Sequence, residues 1–265
     1  MDLGLTGKVA LITGAANGIG FETARILAEE GVTLVLSDLE IDALERDACA
    51  LKGDPLCVAA DVTDPAALDA LVKTATDRFG QLDIVVHTAG VTGAKGHPLE
   101  LKDEDYDTCW TINFMSSVRL ARSAMPELRR NNWGRFICIS SENAVQPYWE
   151  EAVYNASKAA LSAFIKNLSY DEAAHGVLCN TVSPAFVESP MTDGMMEKRA
   201  EELGVSVEEA IESFLEEERP GIVQKRRGKA QEVASTIAFL VSERASYING
   251  SNVRVDGGAV LSVQN

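Results

Sequence analysis

Hydrophobic positions along the chain fall into short runs separated by stretches of helical period. Lys8-Val9-Ala10-Leu11-Ile12-Thr13 is an apolar run of strand length, and Val32-Thr33-Leu34-Val35-Leu36-Ser37 is a second. Between them Ala24, Ile26, Leu27 and Ala28 recur at helical spacing until Gly31. Phe136-Ile137-Cys138-Ile139 forms a later run, and the segment around Tyr154 again reads as helix. Buried strands alternating with amphipathic helices predict an α/β domain with a parallel sheet covered on both faces. At 265 residues the chain fits one domain, 1–265. Asp64 followed by Pro65 predicts a capped helix start. Ser206-Val207-Glu208-Glu209 reads as a capping box. It opens an acidic helix with an Ile211, Phe214, Leu215 stripe that Pro220-Gly221 ends. The stretch 188–228 is the part least dictated by the sheet.

Two patterns bring chemistry to this frame. Thr13-Gly14-Ala15-Ala16-Asn17-Gly18-Ile19-Gly20 joins the first strand to the first helix. That context makes a glycine loop a dinucleotide site: Gly14 for the turn, Gly18 for close approach to a pyrophosphate, Gly20 for helix–strand packing. The helix N-terminus supplies free N–H groups to phosphate. Asp38 ends the second strand, about where such a Rossmann-type, doubly wound unit carries its ribose-binding carboxylate. It would repel a 2′-phosphate, and neither Asn17 nor Leu39 offers a compensating cation, so NAD is expected over NADP. The second pattern is Tyr154 and Lys158, four apart on one helix face. A neighbouring ammonium is expected to lower the phenol's pKa and suit it to acid–base work.

With these motifs the chain resembles the short-chain dehydrogenase/reductase family along nearly its whole length. The glycine spacing matches Gly14, Gly18 and Gly20; the adenine-side Asp-Val matches Asp61-Val62; the Tyr-x-x-x-Lys matches Tyr154 and Lys158. The resemblance implies Ser141, thirteen residues before the tyrosine, as the catalytic serine and Asn113 as the catalytic asparagine. It implies further cofactor contacts at Asn17, Ile19, Leu39, Ala89, Gly90, Tyr154, Lys158, Pro184, Val187 and Ser189, and a substrate-covering role for 188–228. It also implies hydride transfer between NAD and a small-molecule secondary alcohol or ketone, and a homotetramer. The family's Asn-Asn-Ala-Gly reads His87-Thr88-Ala89-Gly90 here, which leaves strand-to-strand support to be established. Its Pro-Gly reads Pro184-Ala185, where ordinary backbone is expected. Two other readings stay open: a 3-oxoacyl thioester reductase of the same family and a non-catalytic NAD-sensing regulator. A sugar-nucleotide epimerase would need a C-terminal substrate domain for which little chain remains.

Composition narrows the remainder. A net charge of −16 argues against a nucleic-acid partner. Nine glutamates between Glu197 and Glu218, against Lys198 and Arg199, argue against docking an acidic carrier protein. No apolar run reaches the ~20 residues a membrane span needs. Met1-Asp2-Leu3-Gly4 does not resemble a signal peptide. Five scattered cysteines suit a reducing, cytoplasmic location. His87, His97 and His175 have no metal-ligand spacing, so no metal is expected. Met191, Met195, Phe186 and Trp149 suggest an apolar pocket. Ala156, Ala159, Ala160 and Ala163 suggest close helix packing across a two-fold axis, with Leu261-Ser262-Val263 ending the last strand at another contact.

Overall fold

The computed structural model describes residues 2–263. Seven parallel strands form one sheet in the order β3-β2-β1-β4-β5-β6-β7. They are β1 (Val9–Thr13), β2 (Thr33–Asp38), β3 (Leu56–Ala59), β4 (Ile84–His87), β5 (Gly134–Ile139), β6 (Val177–Pro184) and β7 (Asn252–Val255). Strand order reverses between β1 and β4, which opens a crevice at the carboxyl ends of those strands.

Alternation along each buried strand builds two cores. Ala10, Ile12, Leu34, Leu36, Ile84 and Val86 face one side, where α1 (Gly18–Glu29), α2 (Ile41–Ala48) and α9 (Ala230–Leu240) cover them. Val9, Leu11, Val35, Val85, Phe136 and Cys138 face the other, under α3 (Pro65–Phe79), α5 (Ser116–Leu128) and α6 (Ala152–Glu172). α4 (Asp103–Trp110) precedes α5. The Asp64 side chain accepts from the Ala66 amide at 2.9 Å, which caps α3 as its sequence predicts.

The segment after β6 carries α7 (Pro190–Leu203) and α8 (Val207–Glu217). Ser206 and Glu209 form the predicted reciprocal cap on α8. The two helices have their own small core of Phe186, Met196, Phe214, Leu215 and Ile222. A parallel bridge between Val187 and Gly228 pins the base of this excursion, with Gly228 N donating to Phe186 O and Glu188 N to Gly228 O, both at 2.9 Å.

β7 ends at Val255, so the expected strand at Leu261–Val263 is not formed; Asp256-Gly257-Gly258 turns the chain away, with both glycines at positive φ. Among the described residues no helix is long and apolar enough to cross a membrane, and all five cysteines are free.

Candidate active site

The glycine loop follows β1 directly. Gly14 has φ 67°, and a Cβ there would stand 2.7 Å from the Ala89 amide nitrogen. A Cβ on Gly20 would stand 2.2 Å from Gly14 O, so only hydrogen fits between loop and helix. Asn17 precedes α1 without capping it through its side chain, which leaves the first amides of the helix for an anion. The Asp38 carboxylate accepts from the amides of Ala16 (2.9 Å) and Leu39 (2.8 Å), so it sits against the glycine loop. Leu39 is exposed, and Ile19 packs on the core beneath the loop. Asp61 accepts from the Thr63 amide at 2.8 Å, which holds its carboxyl below the ordinary range; Val62 packs inward. On the far side the direction of a Cβ on Gly18 comes within 3.5 Å of Ser189 Cβ, which brings the start of α7 over the loop. A dinucleotide fits this cradle: small residues where the backbone must be approached, free amides for phosphate, a carboxylate for ribose hydroxyls.

The departures His87 and Thr88 both find partners. His87 bridges Thr13 Oγ1 (2.6 Å) and Ser116 Oγ (2.8 Å), tying β4 to β1 and α5. Burial, then the charge of Lys158, pushes it down to about 3, so the ring is neutral. Thr88 Oγ1 donates to the carbonyls of Thr13 and Gly14, so it buttresses the glycine loop from below. Ala185, at the end of β6 after Pro184, has ordinary backbone, as expected.

Asn113 does not lie in regular helix. Thr111–Met115 is a π-helical turn between α4 and α5, a widening that often marks functional positions. The turn aims the Asn113 amide at the chain after β4: Val91 N donates to its Oδ1 (2.8 Å), and its Nδ2 donates to Val91 O (2.9 Å) and Ser157 Oγ (3.0 Å). Gly90 is the meeting point, since a Cβ there would lie 3.2 Å from Asn113 Oδ1 and 3.4 Å from Lys158 Nζ. Gly90 therefore leaves room above Lys158.

Tyr154 and Lys158 lie one turn apart on α6, and Ser141 stands just past β5, where its hydroxyl reaches the Tyr154 phenol. Lys158 is buried and donates to Ile139 O at 2.8 Å. Burial pushes it down to about 8. The expected lowering of Tyr154 by Lys158 is not found. Burial, and after it the charge of Glu142, raises the phenol, while the ammonium lies 5.7 Å from the ring centroid and points at a carbonyl. The tyrosine therefore holds its proton firmly at neutral pH.

The sequence reading missed the polar wall beside this set. Glu142, next to Ser141, is 3% exposed and accepts from Ser141 Oγ at 2.6 Å. Arg219, just past α8 and 7% exposed, donates through Nη2 to both oxygens of Glu151 at 2.9 and 3.0 Å, and its guanidinium stacks 3.5 Å from the Tyr148 ring centroid. Lys95 Nζ donates to Glu151 at 2.8 Å, and Asn143 Nδ2 donates to Glu151 and to Asn155. Burial pulls the Glu151 carboxyl up, but Arg219 and Lys95 outweigh it and leave it below the ordinary range. The apolar pocket expected from Phe186, Met191, Met195 and Trp149 does not assemble. Phe186 stacks on Phe214 with centroids 4.7 Å apart, Met195 packs on the same small core, Met191 is exposed, and Trp149 is 89% exposed.

The family model described as enoyl-(acyl carrier protein) reductase matches residues 14–260. A 2,3-dihydro-2,3-dihydroxybenzoate dehydrogenase of Bacillus subtilis is 35% identical over 98% of both chains. A 3-oxoacyl-[acyl-carrier-protein] reductase of Rickettsia conorii is 34% identical over 97% of this chain and 98% of its own. L-sorbose reductase of Gluconobacter frateurii, solved with NADPH and L-sorbose, superposes with a TM-score of 0.93 at 35% identity, covering 99% of this chain and 100% of that one. Full-length matches of this kind, on a glycine-loop crevice that faces a Tyr–Lys helix, show that the chain belongs to the short-chain dehydrogenase/reductase family of oxidoreductases.

Proposed function

We propose that the chain is an NAD(H)-dependent dehydrogenase that interconverts a secondary alcohol and a ketone, with Tyr154 as its acid–base group. The observation that carries this reading is the convergence of Tyr154, Ser141, Lys158 and Asn113 at the carboxyl edge of the sheet, where strand order reverses between β1 and β4. When bound, the nicotinamide supplies or accepts the hydride. The chain's own residues do the rest. Tyr154, protonated at neutral pH, delivers its proton to the substrate oxygen in reduction and takes it back in oxidation. Ser141 donates a hydrogen bond to that oxygen as charge develops there. Lys158, which donates to Ile139 O, would hold the nicotinamide ribose when the cofactor is bound. Asn113 fixes the strand-end segment around Val91 through two hydrogen bonds and ties it to α6 through a third, to Ser157 Oγ. A regulator that only senses NAD has no use for a complete proton-transfer set.

Support for NAD comes from Asp38, whose carboxylate stands where a 2′-phosphate would be repelled, beside exposed and uncharged Leu39. The sorbose reductase was solved with NADPH, so the point needs a direct test. NAD should be preferred by wild type by at least about tenfold in kcat/KM. Asp38→Ala with Leu39→Arg should reverse the preference, because a cation replaces a carboxylate at the ribose. Equal efficiency with both cofactors in the wild type would refute the assignment.

The substrate is a small ketone or alcohol that carries further polar groups. What supports this is the wall of Glu142, Asn143 and Tyr148 beside Ser141, together with relatives whose names carry L-sorbose and a dihydrodiol. A 3-oxoacyl thioester on a carrier protein is the second reading, favoured by the Rickettsia relative. Against it stands the acidic surface of α7 and α8. The experiment is NAD(H)-linked turnover of acetoin, L-sorbose, cyclohexanone and a carrier-linked 3-oxoacyl thioester. A strong preference for the carrier-linked substrate would overturn the small-molecule choice.

A homotetramer is proposed on the exposed small-residue face of α6 (Ala156, Ala159 and Ala163), near half-exposed Trp110 and Phe114, whose rings meet at 50° with centroids 4.5 Å apart. Multi-angle light scattering at micromolar concentration should give four chains; a monomer would contradict it.

A further inference from the structure

Glu142 is the carboxyl nearest the reacting atoms, and the mechanism above does not use it. Its Oε2 accepts a hydrogen bond from the Ser141 hydroxyl at 2.6 Å, the shorter of that hydroxyl's two contacts, the other being Asn143 Oδ1 at 3.0 Å. Its Oε1 stands 3.8 Å from Arg219 Nε, beyond hydrogen-bond reach, because that arginine commits its Nη2 to Glu151. Other charged or titratable groups facing it are few. Glu151, at the start of α6, adds like charge, and the Tyr154 and Tyr148 phenols are both raised by Glu142. Lys95 reaches Glu151 rather than Glu142. Burial above all, and Glu151 more weakly, pushes the Glu142 carboxyl up to about 7, against Ser141 and Arg219.

A serine hydroxyl has one proton. While Glu142 is ionised, Ser141 spends that proton on the carboxylate and offers a ketone oxygen only lone pairs. We propose that Glu142 is a positioning residue that acts through Ser141: when it binds a proton, its own O–H donates to Ser141 Oγ, and the serine proton turns to the substrate oxygen. The same event removes the negative charge that faces Tyr154, which eases loss of the phenolic proton. The balance is simple. One proton from solvent goes to Glu142 and stays there; the proton delivered to the product oxygen is the tyrosine's. This inference rests on the reading of Ser141 and Tyr154 given above.

Two measurements test it. In ketone reduction with NADH by the wild type, kcat/KM should fall about fourfold between pH 6 and 7.5, as one group titrating near 7 requires. Glu142→Gln keeps the volume and has no proton to lose, so this limb should flatten to within about twofold while the KM for NADH is unchanged. Any limb belonging to Lys158, at about 8, should remain. Independently of any substrate, infrared difference spectra should show a carboxylic C=O band that titrates near neutral pH. The band should persist in Tyr154→Phe and vanish in Glu142→Gln. An active Glu142→Gln enzyme with an unchanged neutral limb, or a wild type without the band, overturns the proposal and leaves the dehydrogenase reading intact. Substantial turnover by Tyr154→Phe, or none by wild type on any panel ketone, defeats the reading itself and the proposal with it.

Discussion

Tyr154→Phe should lower kcat by roughly 10²–10⁴-fold, the range expected when a positioned proton-transfer group is lost. The phenol sits beside Ser141 on a helix that supplies neither amides nor carboxylate to the glycine cradle, so the affinity for NAD should change by less than about twofold. Raised by burial and by Glu142, the phenol is protonated across the neutral range. In the wild type it therefore enters reduction as an acid, and oxidation should speed up as pH rises toward its titration. The substitution removes both behaviours. Steady-state kinetics paired with isothermal titration of NAD checks them together. Retention of most of the wild-type kcat would take Tyr154 out of its role, whereas loss of activity with loss of binding would mean that the helix had moved.

Arg219→Ala should destabilise the fold by up to about 3–5 kcal/mol, because removing one partner of a buried ion pair leaves Glu151 with the more exposed Lys95 as its remaining cation. Arg219 holds both oxygens of Glu151 and lies within 3.8 Å of Glu142, all three being buried. Its guanidinium also packs on Tyr148 and 5.1 Å from the Phe214 ring centroid, so alanine loses packing as well as charge. Urea denaturation at fixed pH should show the midpoint shift. Arg219→Met with Glu151→Gln should recover a large part of the loss, since the stranded charge is then gone. A shift of less than about 1 kcal/mol for the single variant would mean that the arginine does not hold this wall together.

The two predictions differ in how far the sequence alone leads to them. Tyr154 and Lys158 are legible from their spacing on one helix face, whereas Ser141 and Asn113 are reached only through the family resemblance. The glycine loop is equally readable, because its constraints are local to one strand–helix turn. Arg219 and Glu151 are 68 residues apart, and no periodicity connects them. Glu142 reads in sequence as an ordinary acidic residue after a strand; only the fold reveals that α6 and the end of α8 close over it. The turn at Asn113 was hidden for another reason. A π-helical widening keeps a helical composition while changing which way one side chain points. The apolar pocket failed because hydrophobicity tells that a side chain is buried, not against what: Phe186 went to the small core under α8 rather than to the substrate. The tyrosine's acidity failed on direction, since spacing places the ammonium near the ring but not its hydrogen bond to Ile139.

The bridge between Val187 and Gly228 bears on how such an enzyme diversifies. Because the two ends of the α7–α8 excursion are held side by side, its interior is a cassette: it can lengthen, shorten or be exchanged without altering the geometry at which β6 leaves the sheet and α9 enters. The cofactor half is then free of whatever selection acts on substrate choice. Arg219 is a tether from the cassette to Glu142 and Glu151. A replacement segment that omitted this cation would strip Glu142 of its facing arginine and leave Glu151 to Lys95.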